Sequence, residues 1–239
     1  VTNHILDREF SRDYLRWVRM SDHLVDNATP SKLEEMQQEI IKNNDYSSAF
    51  FFCTEYNYKH YKMQKIVINS KSPKYSLSFA RHVKNADVVA FQNILLEAFY
   101  KDNNIKYLCQ FACFVPDADL SKIESMVLKT NQAQYAHMLI KHIKSINVNK
   151  FKKIIFESKK PSYIFELAKS LKGKDFNKAQ RLIIESKSAT YIRLFAQKLK
   201  EANVPKLEEA ILETQNIKEI KKFAKMVKNS KIKNFSVLF

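Results

Sequence analysis

Glycine is almost absent from this chain of 239 residues: Gly173 is the only one, and only five prolines accompany it. Sandwiches, barrels and doubly wound sheets need special backbone angles at many turns, so the shortage excludes them and points to helices. It also excludes a phosphate-binding loop, a dinucleotide fingerprint and a nucleophile elbow, each of which needs several glycines at fixed offsets. Cysteine is scarce too. Cys53, Cys109 and Cys113 are an odd number, and the last two stand four apart in a helical pattern, where thiols pack as small apolar groups. A reducing compartment is expected. No apolar run approaches the roughly 18 residues of a membrane span, and Val1-Thr2-Asn3-His4 lacks the blocks of a secretory signal. The expectation is a soluble, intracellular protein, or one carried inside a virion.

What the chain has is a large core and an uneven charge. Its composition, 45% hydrophobic and 28% charged, is that of a folded domain. The net charge is +16. Residues 1–149 carry 19 basic and 16 acidic side chains, whereas residues 150–239 carry 22 and 9. Nearly all the excess therefore sits in the carboxyl-terminal part, which implies an acidic partner: nucleic acid, a polyacidic protein surface or an anionic membrane.

The sequence also repeats. KMQKIVINSKSPKYSLSFARHVKNADVV from Lys62, KFKKIIFESKKPSYIFELAKSLKGKDFN from Lys150 and KAQRLIIESKSATYIRLFAQKLKEANVP from Lys178 share one pattern of 28 residues. Units opening at Lys122 and Lys206 keep that length. The unit opening at Ala90 is four residues longer, through an insertion within Phe99-Tyr100-Lys101-Asp102-Asn103-Asn104, and a degenerate unit covers about 35–61.

Each unit reads as two short helices. In the first, Met63, Ile66 and Val67, and likewise Phe151, Ile154 and Ile155, fall on one helical face. Asp87, Asp119, Asn147, Asp175 and Asn203 precede these runs and are expected as N-caps. A polar stretch such as Ser70-Lys71-Ser72 or Ser158-Lys159-Lys160 then leads into Pro73 or Pro161, a residue favoured at the first position of a helix. The second helix carries Tyr75, Phe79 and Val83, or Tyr191, Phe195 and Leu199, with small Ala80, Ala112, Ala168, Ala196 and Ala224 permitting close approach.

Pairs this short cannot bury both faces alone, so neighbours must stack. The expected fold is all-α: a right-handed α-solenoid of about seven stacked helix-turn-helix repeats. An amino-terminal capping helix region (1–34), with Arg12 to Val18 and Arg19 as an amphipathic helix, precedes the array (35–233), and a tail (234–239) follows. The repeat resembles the short α-solenoid families, HEAT-like, pentatricopeptide and Pumilio arrays. These imply a concave binding surface and no particular chemistry. Their repeats are about 35–47 residues long, so no binding residue is carried over from them. The phrase Tyr-x-x-x-Phe-Ala, with Lys beyond it, is also similar to arrays in uncharacterised proteins of large DNA viruses, phages and bacteria. That resemblance covers 62–233 and implies no activity.

Aligning the units exposes two lysine columns: Lys62, Lys122, Lys150, Lys178 and Lys206, then Lys84, Lys144, Lys172, Lys200 and Lys228. Stacked helices lie roughly 10 Å apart, so each column becomes a ladder along which a polyanion could lie. The candidate nucleic-acid-binding residues are Lys144, Lys150, Lys152, Lys153, Lys172, Lys178, Arg181, Lys200, Lys206 and Lys228; Lys159, Lys160, Arg193, Lys221 and Lys222 widen the patch. Phosphate contacts of this kind give affinity without reading sequence. The competing reading is that these lysines keep polar faces soluble and complement helix dipoles. A tyrosine column, Tyr75, Tyr107, Tyr135, Tyr163 and Tyr191, could stack bases, but its spacing shares the buried face with Phe79 and Phe195.

No catalytic, metal or cofactor constellation emerges. His4, His23, His60, His82, His137 and His142 show no paired metal spacing. Glu34/Glu35 and Glu208/Glu209 begin helices, where carboxylates complement the dipole. Trp17 with Asp13 could be imagined in base excision, and no spacing supports it. Two functions follow as expectations. One is a non-enzymatic scaffold binding DNA or RNA through phosphates; the other is a protein-interaction or structural component of a larger assembly, viral or ribonucleoprotein in kind.

Overall fold

The computed structural model describes residues 12, 13, 17, 18, 29–56 and 60–232. They are helical, with no strand among the described residues. The helices that can be followed are α1 (Pro30–Asn43), α2 (Tyr46–Tyr56), α3 (His60–Asn69), α4 (Pro73–His82), α5 (Val88–Asp102), α6 (Lys106–Phe114), α7 (Leu120–Thr130), α8 (Ala133–His142), α9 (Lys152–Glu157), α10 (Pro161–Ala168), α11 (Gly173–Glu185), α12 (Ala189–Lys198), α13 (Val204–Glu213) and α14 (Ile217–Met226); a 3-10 turn, Val148–Phe151, leads into α9. The all-α class read from the glycine shortage is what the chain adopts. Helix α1 starts at Pro30, inside the 1–34 stretch, with Thr29 as its cap, and residues 12, 13, 17 and 18 ahead of it are helical. The tail at 234–239, His4, His23, and Tyr14, Leu15, Arg16 and Arg19 lie outside the described residues.

The helix pairs begin where the sequence places them. Asp87, Asp119, Asn147 and Asn203 each accept a backbone N–H from the turn that follows. Asp175 departs from the pattern: α11 starts two residues earlier, at Gly173, and the Asp175 carboxylate is taken by the ammonium of Lys152. Pro73 and Pro161 open α4 and α10 as expected. The four-residue insertion lengthens α5 to 15 residues, ending at Asn103 in the left-handed region. Four residues are close to one helical turn, so the extra length leaves the register of the flanking pairs intact.

The turn between paired helices solves the glycine problem without glycine. Ser70, Thr130, Ser158, Ser186 and Thr214 each donate a hydroxyl hydrogen bond to a carbonyl three residues back. The next residue, Lys71, Asn131, Lys159, Lys187 or Gln215, takes a positive φ of 51–55°. The same hydroxyl then accepts the N–H two residues on at Ser72, Lys160, Ser188 and Asn216. Two local bonds thus offset the cost of the left-handed residue.

The chain divides into two compact units, Val1–Ile123 and Glu124–Phe239. In the first, α2, α4 and α6 pack in succession, and α1, α3 and α5 run beside them. Its core holds Phe52, Phe79, Phe91 and Phe111. Trp17 is fully buried there, with its ring 6.3 Å from Phe51 and 6.4 Å from Phe52 and Tyr56. Asp13 accepts the hydroxyl of Tyr75 and pairs with Lys74 at 3.5 Å. In the second unit α8, α10, α12 and α14 pack in succession over Ile164, Leu167, Ile192, Phe195 and Phe223. These second helices pack more closely on one another than α11 does on α13, which leaves a cleft on the first-helix side.

Candidate functional site

The heptad-like face of α11 decides what faces that cleft. Phe176, Ala179, Gln180 and Ile183 turn inward, so Lys174, Asn177, Lys178 and Arg181, at helical spacing on the opposite stripe, turn out. With Ile184, and with Asn203 and Lys206 from the start of α13, they line a groove of about 650 Å³ together with the edge of Gln180. Four cations line it and no carboxylate does.

Local contacts engage two of the four cations. The Lys178 ammonium stands 4.9 Å from the centroid of the buried Phe156 ring, a cation–π arrangement that holds the stem in place and leaves the charge exposed. Arg181 is 3.5 Å from Glu185, an exposed i,i+4 pair that contributes little and is easily exchanged for a stronger anion. Lys174 and Lys206 make no ion pair among the described residues.

Neighbouring repeats lack this arrangement. One repeat earlier, the position of Arg181 is Lys153, 4.0 Å from Glu157, and the position of Asn203 is Asp175, paired with Lys152. One repeat later, the Arg181 position is Glu209. In the first unit a smaller groove of about 400 Å³ is lined by Arg81, His82 and Lys84, but Asp117 shares it.

Of the residues expected to bind phosphate, the structure brings Lys178, Arg181 and Lys206 together. Lys150 pairs with the buried Glu124 at 2.5 Å, and Lys152 with Asp175; both are engaged between repeats. Lys144, Lys200 and Lys228 stand exposed just beyond the ends of α8, α12 and α14, and Lys172 precedes α11. The widened patch also splits: Arg193 is buried and bonded to Glu219 at 2.7 Å, with Lys222 on the other oxygen of the same carboxylate at 2.7 Å. These two donors hold the Glu219 carboxyl below its usual range, the Lys222 bond first. Tyr107, Tyr135, Tyr163 and Tyr191 are half-buried and Tyr75 buried; Tyr163 stacks on His137 with centroids 4.3 Å apart.

Sequence reasoning missed Lys174, which belongs to neither column, and Gln180. The latter belongs to a column of its own. Gln64 accepts the N–H of Asp87 at 2.8 Å, Gln92 that of Asp119 at 2.8 Å, Gln180 that of Asn203 at 2.8 Å and Glu208 that of Lys231 at 3.0 Å. Glu124 and Lys152 fill the same place with their ion pairs. A polar residue two past the opening of each unit thus clamps the next unit's entry. A polar letter recurring there inside an apolar face was the available signal.

Among the described residues no group of three or more His, Cys, Asp or Glu could hold a metal ion, and no helix is long and apolar enough to cross a membrane. Burial pushes the Cys53 thiol up to about 12 and that of Cys113 to about 11. Compared with family models, curated proteins and solved structures, the chain matches none.

Proposed function

We propose that this chain is a non-enzymatic, intracellular recognition scaffold of the HEAT-like α-solenoid kind, a right-handed array of about seven helix pairs whose basic carboxyl-terminal repeats hold nucleic acid through its phosphates. The single observation that carries this reading is the groove between α11 and α13, where Lys174, Lys178, Arg181 and Lys206 converge with no carboxylate in the lining. Four exposed cations whose one acidic partner is Glu185, in its exposed pair with Arg181, are costly to gather by like-charge repulsion, and a polyanion relieves that repulsion while releasing its counterions. The solenoid reading draws support from the order of contacts inside each unit, where second helices follow one another in succession.

The test is a salt titration of the intact chain against random-sequence DNA and RNA, single- and double-stranded. Four phosphate contacts give a slope of log affinity against log salt of about −3 to −4. Salt-independent association, or none at low salt, contradicts the reading.

A second reading, a protein-interaction or structural component, is favoured by the first unit. Tyr61, Val89 and Tyr100 are 73%, 70% and 65% exposed, and Tyr61 and Val89 occupy the same repeat position, one before the unit opens. Changing all three to Ser leaves nucleic-acid affinity intact if the groove carries binding; under the second reading it abolishes retention of a protein partner.

A further inference from the structure

The groove has a floor as well as charged walls. Gln180 lines it and is only 7% exposed. Its amide oxygen must be the atom that accepts the Asn203 N–H, because only an oxygen can, and this fixes the amide nitrogen as the other terminal atom. At the equivalent place Gln92 spends both ends of its amide: the oxygen accepts the Asp119 N–H and the nitrogen donates to the Asp119 carbonyl at 3.1 Å. Gln180 makes only the first of these bonds, and among the described residues its nitrogen has no acceptor. A side chain more than nine-tenths buried, with a spare donor, therefore lies where four cations converge.

Resting on the nucleic-acid reading above, we infer that this groove is a phosphate seat for a single strand, with one phosphate oxygen accepting from the Gln180 amide nitrogen while Lys178, Arg181 and Lys206 neutralise its charge. Donors and cations together are what a phosphate diester requires. A duplex is stiff over about 50 nm and carries its phosphates on a convex surface, so it meets the rim of a cleft and not its floor. A single strand bends at each nucleotide and can dip one phosphate inward. The volume, about 650 Å³, lies within the range of about 300–1,000 Å³ of ligand clefts. Ile184, half-buried in the lining, offers the flanking base an apolar surface with no sequence preference.

The chain itself supplies the test variant. Glu208 shows that a glutamate at this repeat position still accepts the next unit's N–H, at 3.0 Å. Gln180→Glu therefore keeps the clamp and replaces the spare donor by an acceptor. Asn177→Asp places the same charge on the exposed rim and leaves Gln180 untouched, which separates loss of the donor from a change of net charge. Binding is measured by fluorescence anisotropy with the full chain, an oligothymidylate of roughly twelve nucleotides, within single-strand site sizes, and a duplex of equal length; melting temperatures are recorded alongside.

The expected result is a preference of about tenfold for the single strand, and a loss on Gln180→Glu about tenfold greater than on Asn177→Asp, at unchanged melting temperature. Equal affinity for duplex and single strand, or a Gln180→Glu loss no larger than that of Asn177→Asp, overturns the phosphate seat. If duplex binding is as tight and steeply salt-dependent, the phosphate-binding reading stands while this inference falls; if the intact chain binds neither, both fall.

Discussion

Lys71, Lys159, Lys187 and Gln215 hold a left-handed backbone that L side chains tolerate poorly. That conformation costs about 1–2 kcal/mol per residue, and glycine returns part of the gain by its larger unfolded-state entropy. Lys187→Gly is accordingly expected to stabilise the chain by about 0.5–1 kcal/mol, read as a rise of about 2 °C in melting temperature. Gly173 is the converse case. Its φ is +55° and nothing stands within 4 Å of where a Cβ would point, so Gly173→Ala costs about 1 kcal/mol from backbone strain alone. The thiols behave as packing atoms: with Cys53 and Cys113 raised by burial, a thiol reagent at pH 8 labels the folded chain slowly and the unfolded chain quickly. The burial of Cys109 was legible from its helical spacing with Cys113, which is itself half-buried. The left-handed lysines were not, because propensity assigns that conformation to glycine and asparagine, and a serine hydroxyl bonded on both sides of the turn overrides it.

At the scale of elements, the clamp column gives a graded expectation. Removing the acceptor leaves a backbone N–H unsatisfied at the entry to the next pair, so Gln180→Leu destabilises by about 1–3 kcal/mol. Gln92→Leu, which forfeits two bonds, destabilises by more in denaturant titrations. The α12–α14 contact depends on a buried charge pair. Removing one partner of such a pair costs about 3–5 kcal/mol, the expected penalty for Arg193→Ala. Glu219 has a folded value below its ordinary 4.5; its contribution is thus fully present above that value and lost as the pH falls through the lower folded one. An acid titration of Arg193→Ala beside the intact chain shows this as a smaller acid-induced loss in the variant. The boundaries of these elements were legible because Asp, Asn and Pro punctuate the repeat. The start of α11 was misplaced because Asp175, a cap by sequence, answers to Lys152 across the repeat, and a one-dimensional pattern does not show which polar group has a competing partner.

Over the whole molecule, charge excess was legible and charge position was not. The lysine columns treated each repeat as equivalent, yet Lys150 is held by Glu124, as Lys152 beside the column is by Asp175, while Lys178 and Lys206 open onto a groove with Lys174 and Arg181. The acids that hold Lys150 and Lys152 lie 26 and 23 residues away in sequence, outside any local window, whereas Lys122 is paired locally with Asp119. The measurement that bears most directly on the groove as the polyanion site is a matched pair of charge reversals, each changing four cations to Glu. One takes Lys174, Lys178, Arg181 and Lys206; the other takes four exposed members of the second column, Lys144, Lys172, Lys200 and Lys228. Net charge changes equally in both. Affinity for nucleic acid at about physiological ionic strength, where charges beyond roughly 8 Å are screened, is predicted to collapse in the groove variant and to fall only modestly in the column variant. Equal losses in the two would show that the excess charge acts as a diffuse field and would contradict a localised site.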